Sequence, residues 1–558
     1  MNDFNYLDVI VIILYFIGII GYGLWISSKV KNSDGYFRGE RKFSWWIMMG
    51  QAFGTGTHAE NFVAQTGASF HLGFSAIWYQ WKNMIITPFY WLIAPWYRRS
   101  ERTTVGEIIE DRYGDKMGLF YSIFAILFFV FAQGVMLKGG GKVIAIATGN
   151  IVSVNSVILA MTVAFVVYSF FGGMVASAYA NFIQALMIIV LSFLLIPTGL
   201  NAVGGFDGMR ASLPEDFFNL FSDKVGIGVF TILMLALNGV IGITAQPHMI
   251  SMCATGDTER AGRVGQTYGS FVKRFVTIGW ALTGLIVAAL LVQSGQSLED
   301  PELAFGYATR VLLLPGLTGL MVASVLAANM SSASNFMVNT GALFTQNIYK
   351  KYMNKNAVDN QLLWMGRISG VILTLFGVLF ALYIENVLQG FLFIETIAAF
   401  MGIMVFGGNL WKRANRYGAI SSVIVSFILY YYLNFINIGK LQIVYKWEPD
   451  TFGWAMLAGF ITFFLVSLFT TPEDQKRIDK YFDNLNRLSD AKVTTSDGKK
   501  PLAREYGKDL ILLDFVSWFK KERWENFAYR YKEDWLGFIL AWIFVVFLVF
   551  IAWLVIQL

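Results

Sequence analysis

The segment from residue 54 to 62 reads GTGTHAENF and lies inside an otherwise apolar stretch that is long enough to cross a membrane. Charged and titratable side chains at that depth are costly unless they have a polar function, so Glu60 and His58 point to a site for an ion or a solute. Unwound backbone is tolerated there when it is buried in protein or lines a water-filled cavity. Close helix packing through small residues is the alternative explanation. We predict a broken helix whose carbonyl oxygens can replace the water around a small cation.

Two further apolar segments carry related features. Residues 238–247 read NGVIGITAQP and predict a second interrupted helix. Ala328, Ser331 and Ser332 follow one another at helical spacing and share one face of a helix. Hydroxyl and carbonyl oxygens are hard, neutral ligands that suit a bare alkali cation. Serines in membrane helices also hold neighbouring helices together, so these residues alone are weak evidence for an ion site. Their combination with the broken helices makes the evidence stronger.

The composition is that of a protein with many membrane crossings. Of 558 residues, 56% are hydrophobic and only 14% are charged, whereas soluble domains are roughly 25% charged. The single Cys253 excludes an intramolecular disulfide and a cysteine metal cluster, and the scattered histidines His58, His71 and His248 argue against a histidine metal site. The net charge of +6 is attributed to basic loops, so no nucleic-acid partner is expected.

The hydropathy pattern predicts fourteen membrane-spanning helices, since each needs about 20 apolar residues. The first apolar run is long and lacks a small-residue cleavage site, so we expect no cleaved signal peptide. The fourteen segments lie near residues 7–27, 44–70, 74–96, 117–147, 154–172, 178–200, 225–248, 266–294, 316–347, 361–383, 388–410, 417–436, 454–470 and 535–556.

Lysine and arginine are concentrated in alternate loops, which predicts that these loops share the cytoplasmic side of a plasma or inner membrane. An even number of crossings then leaves both termini outside, together with the acidic loop 201–224. We call the following segments the basic loops: 28–43, 97–116, 350–355 and 412–416.

The segment 471–534 is polar and rich in charges of both signs. Within it, residues 514–524 read DFVSWFKKERW and mix aromatic and basic residues as an interfacial helix does. We expect a cytoplasmic linker that lies against the membrane, with a regulatory role as the alternative.

Interrupted helices at matching places in two successive groups of five predict the inverted repeat of a secondary transporter. The groups are the second to sixth and the seventh to eleventh predicted helices. The chain then divides into a first peripheral helix with its loop (1–43), a first repeat (44–200), a second repeat (201–410), peripheral helices (411–470), the polar segment (471–534) and a last helix (535–558).

Three stretches resemble the signatures of the sodium/solute symporter family, which includes the sodium/glucose cotransporters. They read GGMVASAYANFIQ (172–184), TAQPHMISMCATGD (244–257) and AANMSSASNFMVNTGALFTQNIYKK (327–351), and the similarity extends over residues 5–470. The resemblance implies an all-α polytopic membrane protein with a LeuT-type core of five plus five helices in inverted repeat, surrounded by peripheral helices.

The resemblance also implies a principal sodium site at the first broken helix. The expected ligands are backbone carbonyls and two serine hydroxyls: the carbonyls of Gly54, Thr57 and Ala328 and the hydroxyls of Ser331 and Ser332.

Polar positions that contact sugar in the family correspond to Asn61, Gln80, Asn83 and Lys273. Glu60 matches a polar neighbour of that pocket. His58 replaces the small residue expected there, so it could contact substrate, respond to pH or serve as a neutral structural residue.

One departure bears on the ion count. Asn181 stands where some members of the family carry an acidic residue for a second sodium ion. The missing negative charge predicts one sodium ion per transport cycle.

The run KGGGK places Lys138 and Lys142 four residues apart on one face of the fourth predicted helix. Lysines inside membrane helices face the protein interior or a water path. Pairing with Glu60 or another acid and contact with an anionic substrate are both compatible with this pattern.

The segment 77–84 reads IWYQWKNM and places aromatic rings around the amides of Gln80 and Asn83. Flat apolar faces beside amide groups suit polyhydroxylated substrates. An aromatic belt at the membrane interface would give the same pattern.

These observations predict a symporter that imports a small polar solute, namely a sugar, polyol or sugar acid, with sodium as the coupling ion. An organic carboxylate or an amino acid is the alternative substrate. A transporter-like sensor is a rival function, whereas no nucleophile–base pair, metal cluster or cofactor motif favours an enzyme.

Overall fold

A computed structural model of the chain describes residues 4–27, 43–487 and 509–558. These residues form helices joined by short turns, with two isolated β-bridges, one between Phe43 and Gly256 and one between Ser222 and Ile227. The predicted all-α class is confirmed.

The helices are numbered in chain order. They are α1 (Tyr6–Ser27), α2 (Trp45–Thr55), α3 (Ala59–Leu72), α4 (Trp78–Ser100), α5 (Val105–Tyr113), α6 (Asp115–Ala147), α7 (Val154–Val203), α8 (Gly205–Ser212), α9 (Val229–Gly242), α10 (Met249–Ala254), α11 (Glu259–Ser294), α12 (Ala304–Leu312), α13 (Leu317–Ala342), α14 (Asp359–Tyr383), α15 (Val387–Leu410), α16 (Arg416–Ile438), α17 (Pro449–Phe469), α18 (Gln475–Leu485), α19 (Phe527–Arg530) and α20 (Lys532–Gln557). A π-helical stretch, Leu343–Met353, continues α13.

Nine helices in the described part of the chain are long and apolar enough to cross a membrane, which makes this a multi-pass membrane protein. The predicted number of fourteen is not confirmed by this count, in part because the two interrupted segments are divided into shorter helices. The nine are Asp115–Ala147, Leu186–Val203, Glu259–Ser294, Leu317–Met353, Asp359–Tyr383, Val387–Leu410, Arg416–Ile438, Pro449–Phe469 and Lys532–Gln557.

Burial separates a core from a periphery. The most apolar windows of α11, α13 and α15 are 83% to 89% buried inside the protein. Those of α16, α17 and α20 are only 28% to 33% buried, and their large apolar side chains face outward. We therefore expect the functional site among the core helices. The peripheral helices present an apolar surface to lipid.

The predicted crossings 154–172 and 178–200 are not separated by a loop. Helical backbone runs through Val154–Val203, a stretch of 50 residues. The prediction of a non-helical connection between these two crossings was therefore wrong. Gly172 and Gly173 lie where the break was expected, but a glycine weakens a helix by only about 1 kcal/mol and does not by itself end it.

The two ends of α7 nevertheless lie at the same end of the bundle. Val154 packs on α6 at Gly141, and Gly199 packs on Leu312 at one end of α12. The other half of α12 returns to α6, because Gly306 packs against Val143. A straight helix of this length would extend about 75 Å. The two ends of α7 are therefore far closer together than in a straight helix, so this helix is strongly bent along its length.

The basic loops that the structure describes meet at one end of the bundle. Lys351 forms an ion pair with Glu110, and the Thr104 hydroxyl donates to the Asn347 side chain at 3.0 Å. These contacts join segments that are more than two hundred positions apart in the sequence. Basic loops that alternate along the chain therefore lie on the same side of the bundle.

The N-terminal helix begins at the opposite end. The π-helical continuation of α13 reaches the basic loops at Lys351, so Gly316, just before α13, lies at the other end of that long helix. Asp8 accepts hydrogen bonds there from the backbone N–H groups of Gly316 at 2.8 Å and Gly319 at 2.7 Å.

The C-terminus lies at that same end. Helix α11 starts at Glu259, which pairs with an arginine of the basic loops, and finishes near Gln293, whose amide donates to the Gly208 carbonyl at 3.3 Å. Beside it, Arg210 donates to the carbonyl of Ile556. Both termini therefore face away from the basic loops.

Candidate functional site

The first predicted helix break is present. Helix α2 ends at Thr55, and α3 begins at Ala59 after an extended residue, His58, with φ −136°. The Thr57 N–H donates to the Gly54 carbonyl at 3.3 Å, and the Asn61 N–H donates to the His58 carbonyl at 3.0 Å. The break thus exposes backbone polar groups in the middle of the protein.

The second predicted break is present as well. Helix α9 ends at Gly242, a short 3-10 turn follows, and α10 begins at Met249. Two tyrosine hydroxyls donate to carbonyls of the turn: Tyr97 to Thr244 at 2.8 Å and Tyr121 to Ala245 at 2.5 Å. These bonds satisfy carbonyls that the interrupted helix leaves unpaired, as unwound backbone inside a membrane requires.

The predicted sodium residues converge on the first break. The Ser332 hydroxyl lies 3.4 Å from the Gly54 carbonyl oxygen, and the Ser331 hydroxyl lies 3.3 Å from the carbonyl of Ala328 on the same helix. The hydroxyl of Thr57 is buried, with no hydrogen-bond partner in the described part of the chain. Hard oxygen atoms from α13 and from the break therefore face one another.

Asn329 is a positioning residue that sequence reasoning missed. Its side-chain oxygen accepts the Ala59 N–H at 3.0 Å, which caps the first turn of α3, and its nitrogen donates to the Met136 carbonyl at 3.1 Å. Its position beside Ala328 was the available signal, because a buried amide in a membrane helix needs partners.

The glycines of KGGGK explain how α6 approaches this point. A Cβ atom on Gly139 would lie 2.9 Å from the backbone nitrogen of Glu60, and one on Gly140 would collide with the Asn329 amide. Helix α6 can therefore lie directly against the break only because these positions lack side chains.

Lys142 does pair with an acid, although not with Glu60. Its ammonium group lies 2.5 Å from Glu302 and 2.7 Å from Asp300, and it donates to the Glu385 carbonyl at 2.8 Å. These partners belong to connections at the end of the bundle that holds both termini. Lys142 therefore ties α6 to two loops rather than to a substrate cavity.

A cavity with a volume of about 90 Å³ lies between the two breaks. This is room for several water molecules, since one needs roughly 10–15 Å³. Its polar lining comes from both broken helices and from α4, α11 and α15: His58, Glu60, Asn61, Asn83, Tyr90, Gln246, His248, Gln266, Ser270, Lys273, Arg274 and Glu395.

Five of the six predicted substrate residues line this cavity. They are His58, Glu60, Asn61, Asn83 and Lys273. The sixth, Gln80, is buried elsewhere on α4, and neither end of its amide has a partner among the residues that the structure describes.

The side chains at the first break contact one another. His58 Nδ1 contacts the Glu60 carboxylate and lies 3.1 Å from the Asn61 amide nitrogen. Lys273, on α11, donates to the carbonyl of Gly56. The break is thus held from two sides, and His58 has a partner within the site.

An ion pair lies at the wall of the cavity, where Glu395 is part of the lining. The Lys82 ammonium group is 3.1 Å from Glu395 and 3.0 Å from the Asn238 side-chain oxygen. Sequence reasoning missed both Lys82 and Glu395. Each is a lone charge in an otherwise apolar predicted span, which was the available signal.

The two tryptophans of IWYQWKNM do not line the cavity. The indole N–H of Trp78 donates to the Leu220 carbonyl at 2.8 Å, and that of Trp81 donates to the Arg274 carbonyl at 3.0 Å. Both rings are buried in the protein core, so they form neither an interfacial belt nor a stacking surface in the cavity.

A sequence model of the sodium:solute symporter family matches residues 36–426. The chain belongs to the sodium:solute symporter family. As in that family of transporters, sodium is the coupling ion and a solute is the second transported partner.

Members of the symporter family from bacteria are similar along most of the chain. The high-affinity proline transporter PutP of Bacillus subtilis is 26% identical over 81% of this chain and 93% of its own length. The sodium/glucose cotransporter of Vibrio parahaemolyticus is 24% identical over 78% of this chain and 86% of its own.

A solved structure of a Na+-coupled sialic acid symporter, in a substrate-bound outward-open state, shares the fold. Its TM-score is 0.70 at 18% identity, and the alignment covers 85% of this chain and 100% of that chain. The LeuT-type core that the family resemblance implied is thereby confirmed.

Proposed function

We propose that this symporter imports a small polar organic solute through the cavity between the two broken helices, driven by sodium bound at the first break. The proposed sodium ligands are the carbonyls of Gly54, Thr57 and Ala328 and the hydroxyls of Ser331 and Ser332. The observation that carries the proposal is the approach of the Ser332 hydroxyl to the Gly54 carbonyl, beside the cavity.

The spacing of these two oxygens supports an ion site. Their separation of 3.4 Å exceeds the roughly 2.7–2.8 Å of a typical hydroxyl hydrogen bond. Two oxygens that share one cation are held apart in this way, because each contacts the ion rather than the other oxygen.

Coupling follows if sodium and solute favour the same conformation. Sodium joins the break to α13, and the solute contacts residues of the same break, so each ligand stabilises the arrangement that the other needs. One sodium ion per cycle is proposed, since Asn181 supplies no carboxylate. Its side chain lies outside the described part of the chain. A measured ratio of two ions per solute would contradict this stoichiometry.

The solute is proposed to contact Asn61, Asn83, Lys273, Glu60 and His58. Similar proteins are named for proline, glucose and sialic acid, so family membership is compatible with a sugar, a sugar acid or an amino acid. A symporter with this role performs no covalent chemistry.

Orientation and organisation form part of the proposal. The end with the basic loops faces the cytoplasm of a plasma or inner membrane, and both termini face outside. The two inverted repeats comprise residues 44–200 and 201–410.

The test is uptake into proteoliposomes with an imposed sodium gradient and, as control, an equal potassium gradient. We expect accumulation of a solute only with sodium. Ser332→Ala should raise the sodium concentration needed for half-maximal uptake about tenfold or more, because a ligand of the ion is lost.

The matched control is Ser324→Ala on the same helix, whose hydroxyl donates to the Leu320 carbonyl at 2.8 Å within α13. It should transport as the unchanged protein does. Equal sodium dependence in the two variants would refute the proposed ion site, and solute binding without accumulation would indicate a sensor instead.

A further inference from the structure

The charged groups at the cavity do not balance. Five charged side chains lie in or beside it, and all but Glu395 are buried: Lys82, Lys273, Arg274, Glu60 and Glu395. Three are basic and two are acidic, so basic groups are in excess. A sodium ion at the neighbouring break adds a further positive charge.

Of the three basic side chains, Arg274 is the one that keeps donor atoms without partners in the described part of the chain. Lys82 pairs with Glu395, the Glu60 carboxylate contacts His58, and Lys273 donates to a backbone carbonyl. Arg274 is only 3% exposed, and the Nε and Nη1 of its guanidinium have no hydrogen-bond partner within the described residues.

Buried guanidinium N–H groups without partners carry a desolvation cost that an occupant of the cavity can remove. Arg274 lines the cavity, so a solute can reach it. The planar fork of an arginine matches a carboxylate through two parallel hydrogen bonds. A neutral hydroxyl group on the solute would leave the positive charge of Arg274 uncompensated.

The cavity also presents acceptors, from the first break and from α11. Glu60 Oε2, Asn61 Oδ1 and Gln266 Oε1 are buried and have no hydrogen-bond partner in the part of the chain that the structure describes. Acceptors of this kind are satisfied by hydroxyl or ammonium groups on a solute.

We propose that the transported solute is a small organic carboxylate that also carries hydroxyl or ammonium groups, with its carboxylate bound by Arg274 and its donors bound by Glu60, Asn61 and Gln266. The assignment rests on the proposed symport and narrows its substrate class. It excludes neutral sugars and polyols as the preferred solutes.

The test uses pairs of solutes in which a hydroxymethyl group replaces the carboxylate: D-glucuronate and D-glucose, L-lactate and propylene glycol, and L-proline and L-prolinol. Purified full-length protein is heated with each compound in sodium and in potassium buffer. Binding stabilises the folded state by mass action, so a bound solute raises the unfolding temperature.

We expect sodium-dependent stabilisation by at least one carboxylate and not by its hydroxymethyl partner. Arg274→Gln should weaken the affinity for that carboxylate about 10- to 100-fold, which corresponds to the loss of charge-assisted hydrogen bonds. Arg274→Lys should bind with intermediate affinity, since it keeps the charge and loses the fork.

Arg367→Gln is the matched control, because Arg367 lies on α14 and does not line the cavity. It should keep the affinity of the unchanged protein. A neutral partner that binds as well as its carboxylate would overturn the inference, as would sodium stabilisation with no response to any carboxylate. No sodium effect at all would instead overturn the proposed symport.

Discussion

Ser332 and Gly54 lie 278 positions apart in the chain and meet at the first helix break. Their approach depends on Asn329, which holds the first residue of α3 with one end of its amide and α6 with the other. It also depends on Gly140, because a side chain there would displace that amide. At this scale the site consists of a few oxygen atoms whose positions are fixed by one buried amide.

Replacing Asn329 by alanine should therefore lower the stability of the folded protein and its affinity for sodium together. The Ala59 N–H, in the first turn of α3, would be left buried without its partner, at a cost of about 1–3 kcal/mol. Thermal unfolding in detergent, recorded with and without sodium, measures both effects.

Asn339→Ala provides the comparison. Asn339 is on the same helix, and its amide donates to the Asn335 carbonyl at 2.8 Å, one turn earlier in that helix. It should leave the sodium response intact. A normal sodium response in Asn329→Ala would show that the amide does not position the break.

At the scale of elements, an ion-pair chain joins α4, α11 and α20 near the basic loops. Arg99 lies 2.7 Å from Glu259, which lies 3.1 Å from Arg263, which in turn lies 2.6 Å from Asp534. All four side chains are at most 9% exposed. The two positive and two negative charges balance. Removing any one of them would leave a buried charge without its partner, which is strongly destabilising.

The segment that follows α17 belongs to this assembly. The Trp96 indole donates to the Leu512 carbonyl at 3.0 Å, and the Tyr481 hydroxyl donates to Asn409 at 2.7 Å. The described parts of the predicted linker therefore pack against the end of the core helices instead of lying only on the membrane surface.

Glu259→Gln should destabilise the protein by about 3–5 kcal/mol, because two buried arginines lose their shared carboxylate. The measurement is the midpoint of thermal or denaturant unfolding. Asp216→Asn removes one partner of the exposed pair with Lys224, whose side chains are 42% and 76% exposed, and should cost less than about 1 kcal/mol. Equal effects of the two variants would contradict the buried-network interpretation.

At the scale of the whole molecule, both termini lie at the end away from the basic loops. Asp8 at one terminus contacts the turn before α13, and Ile556 at the other contacts Arg210. If the basic loops are cytoplasmic, a reagent that cannot cross the membrane should reach both termini from outside.

The only cysteine of the chain, Cys253, is buried, so its replacement by serine gives a clean background for single-cysteine labelling. In Cys253→Ser cells, Tyr6→Cys and Leu558→Cys should react with an impermeant maleimide, while Lys355→Cys should react only after the membrane is opened. The reverse pattern would invert the proposed orientation.

The sequence by itself determined the class of the protein, the two helix breaks and the oxygen-rich face of α13. Each of these is a local signal: glycines and polar residues inside an apolar run, or serines at helical spacing, alter the helix in which they occur. The glycines near Gly172 show the limit of that rule, since glycine favours a break but does not require one.

The tertiary structure decided which charges meet. Lys82 and Glu395 are 313 positions apart, and Lys142 finds Glu302 instead of Glu60. Gln80 was predicted to contact the solute but does not line the cavity. Arg274 was not among the predicted residues and does line it. Hydropathy and spacing report how each helix is built, but the rotation and neighbours of each helix fix the partner of a buried charge, and those follow from packing across the whole molecule.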